Sequence, residues 1–308
     1  MELSVLLNKM LIFVALMFIG YILAKRGVLG PQFTKAANKL VLDVFMVGTI
    51  LSSMISTAAE GDVNNLGEII LLTAAAQVVG YLVAAVAARL VHPGPDREAP
   101  FELLMAVPNT MFIALPIAEA LYGSYAVLIL SVSCIAFNVL IYSYGVWRLK
   151  GGRGGRLRLR ETVSVPMVAT LIGILLLVTK IPVPAAVQGL LVSLGGATMP
   201  MSMMVIGASL GSVSLLDAFR NPWLAMSSLV RLLVVPVLAW LVCGLLTDDT
   251  ALRMCCMIIA AAPSGVLVSI LAIQYGKDGI FSSEGVQHST VCSMATIPLL
   301  ITVLSRFC

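Results

Sequence analysis

Two prolines interrupt apolar segments, and small polar residues follow each of them. They are Pro108, followed by Asn109 and Thr110, and Pro263, followed by Ser264 and Gly265. Proline breaks a helix, so a second half-helix begins there with free N–H groups and the positive end of its dipole. Two such ends that converge would form a site for an anion, and a carboxylate suits it. The sequence predicts that these six residues bind a carboxylate; a purely structural pair of kinks is the alternative.

Among the ionisable residues inside apolar segments, where burial is costly and suggests function, four stand out. They are the candidates for coupling to an ion, namely Asp43, Glu119, Arg231 and His288. Asp43 lies nearest the middle of its segment and could take up a proton, or it could be a satisfied buried acid. Arg231 could pair with a carboxylate or brace unwound backbone. His288, one helical turn after Glu284, could relay protons.

Other chemistry has no support in the sequence. The six cysteines show no metal-ligand spacing, and neither an HExxH motif nor paired acidic motifs occur. We therefore predict no bound metal, no cofactor other than a possible H⁺ or Na⁺ coupling ion, and no enzymatic activity.

The composition requires a membrane protein. Of the 308 residues 60% are apolar and 11% charged, with a mean hydropathy of +1.04. Soluble domains carry about 25% charged residues, so a water-soluble enzyme or nucleic-acid binder is excluded. Hydropathy predicts an all-α polytopic protein of ten transmembrane helices. They cover roughly residues 5–25, 33–57, 66–91, 100–122, 125–147, 163–180, 186–212, 222–246, 251–275 and 282–305.

Basic residues predict the orientation. If the N-terminus lies outside, the inner side holds 14 Lys and Arg residues and the outer side 4. By the positive-inside rule, both termini lie on the non-cytoplasmic side, and the first apolar stretch is a retained span rather than a signal peptide. The basic stretch KGGRGGRLRLRE would then be a cytoplasmic linker.

The two halves of the chain repeat. Each of the first five segments has a counterpart about 155 residues later, as Pro108 has in Pro263. An odd number of spans inverts the second copy, a plan common in secondary transporters. We predict one five-helix repeat over residues 1–148, the basic linker over 149–162 and an inverted repeat over 163–308. The small residues from Gly207 to Gly211 would pack against another helix of the chain or a second copy.

Three motifs carry a family resemblance. PNTMFIALPIAEALYG from Pro108, LGGATMPMSMMVIGASLG from Leu194 and AAPSGVLVSILAIQYGKD from Ala261 resemble the auxin efflux carrier family, which includes the plant PIN-formed exporters. The resemblance implies the fold of the bile-acid/sodium symporters, with helices 4 and 9 crossing at their prolines. It implies a homodimer through helices 1, 2, 6 and 7, and elevator movement of the other helices. It also implies that Asn109 contacts a substrate carboxylate. Segment two departs from the family pattern, because Asp43 and the stretch Met46-Val47-Gly48 stand where relatives often carry Asn and Pro.

The broken helices favour a secondary transporter of small organic anions. The resemblance implies malonate, malate or other carboxylates as its substrates, and the bacterial plasma (inner) membrane as its location. Its partners would be the anion, membrane lipids and a second copy of the chain, with no nucleic acid. An exporter of auxin-like indole acids and a sodium-coupled symporter of amphipathic anions are the alternatives, and a sensor without transport is a further class.

Overall fold

A computed structural model describes residues 3–60, 65–152, 163–211 and 215–307. Every regular element in these ranges is helical, as predicted. The α-helices are α1 (Leu3–Lys25), α2 (Pro31–Leu40), α3 (Met46–Glu60), α4 (Leu66–Leu90), α5 (Glu98–Ala106), α6 (Leu115–Leu140), α7 (Val146–Leu149), α8 (Val165–Thr179), α9 (Ala185–Gly195), α10 (Thr198–Leu210), α11 (Leu215–Arg220), α12 (Pro222–Leu229), α13 (Val235–Gly244), α14 (Thr250–Ala261), α15 (Leu267–Gln274) and α16 (Gly279–Leu304). Four π-helical turns join some of them: Val41–Phe45, Thr110–Ala114, Ile141–Gly145 and Val230–Val234.

Polar side chains begin several helices by accepting hydrogen bonds from the free N–H groups of the first turn. Ser164, Asn221, Asp249 and Asp278 cap α8, α12, α14 and α16 in this way. Proline occupies an early position in α8 and α12, where its missing N–H is not needed. Local sequence therefore defines where these helices start.

Six helical stretches of the described chain are long and apolar enough to cross a membrane. They are Gln32–Ala59, Leu66–Leu90, Thr110–Leu149, Ala185–Leu210, Pro222–Gly244 and Gly279–Phe307. Leu11–Lys25, Val165–Thr179 and Thr250–Ala261 are shorter apolar helices. The structure thus supports several spans, and the predicted number of ten is not confirmed.

One of these stretches contains a backbone break. Thr110–Leu149 has 40 residues, which as one straight helix would extend about 60 Å, twice the thickness of a bilayer core. Gly123 divides it with φ 64° and ψ −147°, a conformation available essentially to glycine. The boundary predicted between segments 100–122 and 125–147 therefore falls at this break.

The chain forms two compact units. Unit 1 comprises Met1–Leu71, Met111–Ile135 and Val163–Ser212, and unit 2 comprises Leu72–Thr110, Ala136–Thr162 and Val213–Cys308. Each unit is defined by contacts in space and draws on both halves of the sequence. The division of the chain into two sequence repeats therefore stays a prediction. Residues 153–162 of the predicted basic linker lie outside the described residues.

Glycines allow close helix packing in unit 1. A Cβ added to Gly20 of α1 would collide with the backbone of Met204, and one added to Gly207 of α10 would collide with the backbone of Met17. Gly207 therefore lies against α1 of the same chain, which accounts for the small residues at this position by internal packing.

Unit 2 buries the two helices that lead into the proline breaks. Every residue of α5 from Ala99 to Ala106 is buried, and α14 is buried at nine of its twelve positions. These two helices end at Ala106 and Ala261, a few residues before Asn109 and Ser264. The core of unit 2 thus fixes the backbone at both breaks.

Candidate functional site

The two breaks meet in unit 2 as a short antiparallel pair, which we call the crossover: residues 107–110 and 262–266. Pro108 lies opposite Ser264. The Asn109 N–H donates to the carbonyl of Pro263 at 2.7 Å, and the Gly265 N–H donates to the carbonyl of Val107 at 2.9 Å. A Cβ added to Gly265 would lie 3.0 Å from the Pro108 carbonyl oxygen, so the two backbone segments approach closely there. The structure therefore brings together the six residues predicted to bind substrate.

The expected free N–H groups are not all free. The N–H groups of Asn109 and Gly265 are used in this pairing, and the N–H of Ser264 donates to Ser289 Oγ at 3.1 Å. The Ser264 hydroxyl donates to the Leu104 carbonyl at 2.6 Å, so it has no proton left for a carboxylate in this conformation. The expectation of free donors at these positions is wrong because backbone groups shielded from water need partners, and two adjacent extended stretches supply them.

The carbonyls at the end of α5 are also satisfied, although the chain leaves the helix. In a continuous helix the Leu104 carbonyl would accept from residue 108, but Pro108 has no N–H, and Ser264 replaces it. Each backbone carbonyl from Leu103 to Val107 accepts a hydrogen bond. The Leu103 carbonyl accepts from the Val107 N–H and the Leu104 carbonyl from the Ser264 hydroxyl. Arg231 donates to the carbonyls of Met105 and Ala106, and the Gly265 N–H donates to that of Val107.

Most of the side-chain hydrogen bonds that this stretch of backbone accepts come from Arg231. It is 1% exposed, and its guanidinium donates to carbonyls at the ends of both α5 and α14. The bonds are Nη1 to Met105 O (3.2 Å) and Ala106 O (3.4 Å), Nη2 to Ile259 O (3.3 Å) and Nε to Ala262 O (2.9 Å). Of the two interpretations from sequence, the brace for unwound backbone fits, and the described residues give Arg231 no carboxylate partner.

Two polar side chains remain at the crossover. Thr110 is 4% exposed, and its hydroxyl has no hydrogen-bond partner among the described residues. Asn109 is 7% exposed, and the described part of the chain offers its carboxamide no hydrogen bond. A buried hydroxyl without a partner costs about 1–3 kcal/mol, so such a group calls for a ligand or a water. Asn109 and Thr110 are therefore the donors that an anion could use.

π-helical turns hold three of the predicted residues. Asp43 lies within Val41–Phe45, Thr110 begins Thr110–Ala114, and Arg231 lies within Val230–Val234. Such turns are rare and often occur at functional sites. The turn also displaces a side chain from the position that an α-helix would give it.

The other coupling candidates are separate from this geometry. Asp43 and Glu119 belong to unit 1, where both side chains are half-buried. His288 is buried in unit 2, where its Nδ1 lies 2.7 Å from Ser228 Oγ and its ring packs on Phe219. The acidic partner expected for it, Glu284, makes no ion pair with it among the described residues; the hydroxyl of Ser228 occupies that role.

Sequence reasoning missed Glu102. This carboxylate is 1% exposed in α5 and is bonded by the Tyr144 hydroxyl and by Arg148, whose Nε lies at 2.6 Å. Arg148 also reaches Glu98 at 3.1 Å. The signal was the pair of acids four residues apart at the start of a predicted span, because such residues share one helix face.

The architecture defines the class of protein. The described chain has several apolar spans, and two interrupted helices meet at buried polar groups. These features are typical of an integral membrane protein of the transporter kind. Residues 5–163 and 154–301 match the model of a family described as membrane transport protein. The chain therefore belongs to this family, the auxin efflux carrier family, as the three motifs indicated.

Two curated relatives are similar over nearly their whole length. An uncharacterised transporter of Methanothermobacter thermautotrophicus is 25% identical over 294 residues, which cover 94% of this chain and 95% of the relative. An uncharacterised transporter of Methanocaldococcus jannaschii is 21% identical over 301 residues, covering 95% and 97%. The protein is thus a membrane transporter of this family.

Proposed function

We propose that the protein is a secondary active transporter of small organic anions such as malonate, malate or other carboxylates, and that the crossover binds the carboxylate. The observation that carries this proposal is the unpartnered, buried hydroxyl of Thr110 beside Asn109, at the start of a half-helix. The carboxamide and the hydroxyl would donate to the carboxylate, and the positive end of the helix dipole would stabilise its charge. Pro108, Pro263, Ser264 and Gly265 would line the site through their backbone.

We further propose ten transmembrane helices in two inverted five-helix repeats. The antiparallel pairing of the two breaks supports this, since an antiparallel pair has a local two-fold axis, as inverted repeats require. Predicted segments one, two, six and seven all lie in unit 1. This grouping supports an elevator mechanism in which these four segments, and not Met111–Ile135 of the same unit, are the scaffold and form the homodimer.

The proposed setting is the bacterial inner membrane, with both termini on the non-cytoplasmic side and lipid around the apolar faces. Leu82, Val86, Leu171 and Leu175 are each at least half exposed, as lipid contact requires. Coupling would use H⁺ or Na⁺, with Asp43, Glu119 and His288 as the candidates for the coupling group.

The test is uptake of labelled malonate into proteoliposomes, with and without imposed pH and sodium gradients. Wild-type protein should accumulate malonate under one gradient, and that gradient identifies the ion. Asn109→Ala should lower uptake and keep the unfolding temperature, whereas Asn38→Ala, in α2 of the other unit, should change neither. Asp43→Asn should abolish the response to the gradient if Asp43 is the coupling group.

Uptake no greater than in empty vesicles, for malonate and for a panel of other carboxylates under every gradient, would rule out the proposed substrate class. Indole acids and amphipathic anions would then be tested in the same vesicles.

A further inference from the structure

Arg231 brings a positive charge into the interior of unit 2, and no acidic side chain of the described residues balances it. An arginine remains protonated at neutral pH, and its four hydrogen bonds go to uncharged backbone carbonyls. The other buried charge near α5, Glu102, is already paired with Arg148. Among the described residues the Arg231 guanidinium therefore lacks a counter-ion.

The helix ends at the crossover do not supply a net negative charge. Two helices, α5 and α14, end there, and each C-terminus acts as about half a negative charge. Two helical segments begin there, at Thr110 and Leu267, and each N-terminus acts as about half a positive charge. The partial charges of these four helix ends cancel, so the positive charge of Arg231 remains unbalanced.

We propose that Arg231 is a positioning residue that sets the charge of the anion site, so that the site takes a ligand bearing one negative charge. This inference rests on the proposed function and deepens it: of the small carboxylates, the site should prefer those with one negative charge, and malonate and malate, which carry two at neutral pH, should bind more weakly. Arg231 acts through the backbone: it fixes the ends of both interrupted helices, while Asn109 and Thr110 contact the ligand.

The geometry requires arginine rather than lysine. The planar guanidinium presents five donors, enough to reach carbonyls on two helices at once, whereas an ammonium offers three donors from a single point. A lysine would keep the positive charge but lose some of the hydrogen bonds to the two helix ends. The two contributions of Arg231 can therefore be separated by substitution.

The test is a charge series of ligands of nearly equal size. At mildly alkaline pH malonamide is neutral, malonamate carries one negative charge and malonate carries two. Competition of each compound against labelled malonamate uptake in proteoliposomes gives the order of apparent affinity. Wild-type protein should bind malonamate best, with malonamide and malonate each weaker by about tenfold or more.

The variants separate charge from attachment. Arg231→Gln should make the neutral malonamide the best of the three ligands, because the unbalanced charge is gone. Arg231→Lys should keep malonamate as the best ligand while the maximal rate falls. A merely structural role would lower the rate without changing the order of the ligands.

Each outcome decides. Wild-type protein that binds malonate at least as well as malonamate overturns the inference, as does an unchanged ligand order in Arg231→Gln. If Arg231→Gln does not fold, as judged by gel filtration and thermal unfolding, a wild-type preference for malonate or the loss of the malonamate preference in Arg231→Lys still overturns the inference. Transport of carboxylates with the wrong charge order leaves the proposed function standing, whereas absence of all carboxylate transport removes both.

Discussion

The hydroxyl of Ser264 donates to the carbonyl of Leu104 at 2.6 Å, in the place of the N–H that Pro108 lacks. One interrupted helix thus completes the hydrogen bonding of the other.

Replacing Ser264 with alanine should destabilise the protein. The Leu104 carbonyl would be left buried without a donor, at a cost of about 1–3 kcal/mol. Thermal unfolding in detergent measures the effect. Ser283→Ala is the matched control, because Ser283 donates to a carbonyl of its own helix, four residues earlier, and should be nearly neutral. Equal stability of the two variants would contradict the role of the Ser264 bond.

Glu102 and Arg148 should show a coupling energy. Glu102→Gln leaves Arg148 without its nearest counter-charge. Because Arg148 is partly exposed, we expect a loss of about 1–3 kcal/mol, below the cost of breaking a fully buried pair. A double-mutant cycle with Arg148→Gln measures the interaction by chemical or thermal unfolding. Glu98→Gln, at the more exposed end of the same cluster, should cost less than Glu102→Gln. Additive effects of the two substitutions would show that the pair contributes no stability.

Gly207→Ala should push α1 and α10 apart. Its Cβ would collide with the backbone of Met17, which cannot move aside as a side chain could, and overpacking of this kind costs about 1–3 kcal/mol. Gly189→Ala is the control, since nothing lies within 4 Å of its added Cβ. That variant should be neutral or slightly more stable. A fall in unfolding temperature for Gly207→Ala alone would confirm the close approach.

The ion pair between Arg97 and Asp278 should make stability depend on pH. Burial raises the pKa of Asp278, but bonds from the Phe281 N–H and from Arg97 outweigh it, so this pKa lies below its usual range. A carboxyl with a depressed pKa stabilises the fold above its unfolded pKa, and the contribution is lost as the pH falls through the folded pKa. Arg97→Gln should move this loss to higher pH.

The size of that effect should be under about 1 kcal/mol, because both side chains are partly exposed to solvent. Unfolding temperatures measured across acidic pH compare Arg97→Gln with Lys277→Gln. The second variant removes a 3.7 Å pair to Asp96, which is 81% exposed, and should have no measurable effect. Identical pH profiles of wild type and Arg97→Gln would contradict the prediction.

Local signals in the sequence predicted local features. Pro108 and Pro263 mark the two helix breaks, and the boundary between the predicted segments 100–122 and 125–147 falls at Gly123. Each depends on the backbone preference of one residue and its near neighbours, which one sequence displays.

Features that depend on distant residues could not be predicted. The N–H groups of Asn109 and Gly265 looked free because their acceptors come from the other half of the chain. Glu102 is buried at low cost because Tyr144 and Arg148 reach it from a different segment. The role of Arg231 was left between a carboxylate partner and a backbone brace for the same reason.

The bond between Ser264 and Leu104 also bears on biosynthesis. The two residues are 160 positions apart, and ribosomes add about 5–20 residues per second. The first interrupted helix therefore waits on the order of ten seconds before the residues that complete it have been made. Because unpaired carbonyls are costly in lipid, we expect them to stay near water or the insertion machinery during that interval, and the helix to enter lipid only after the second half has been made.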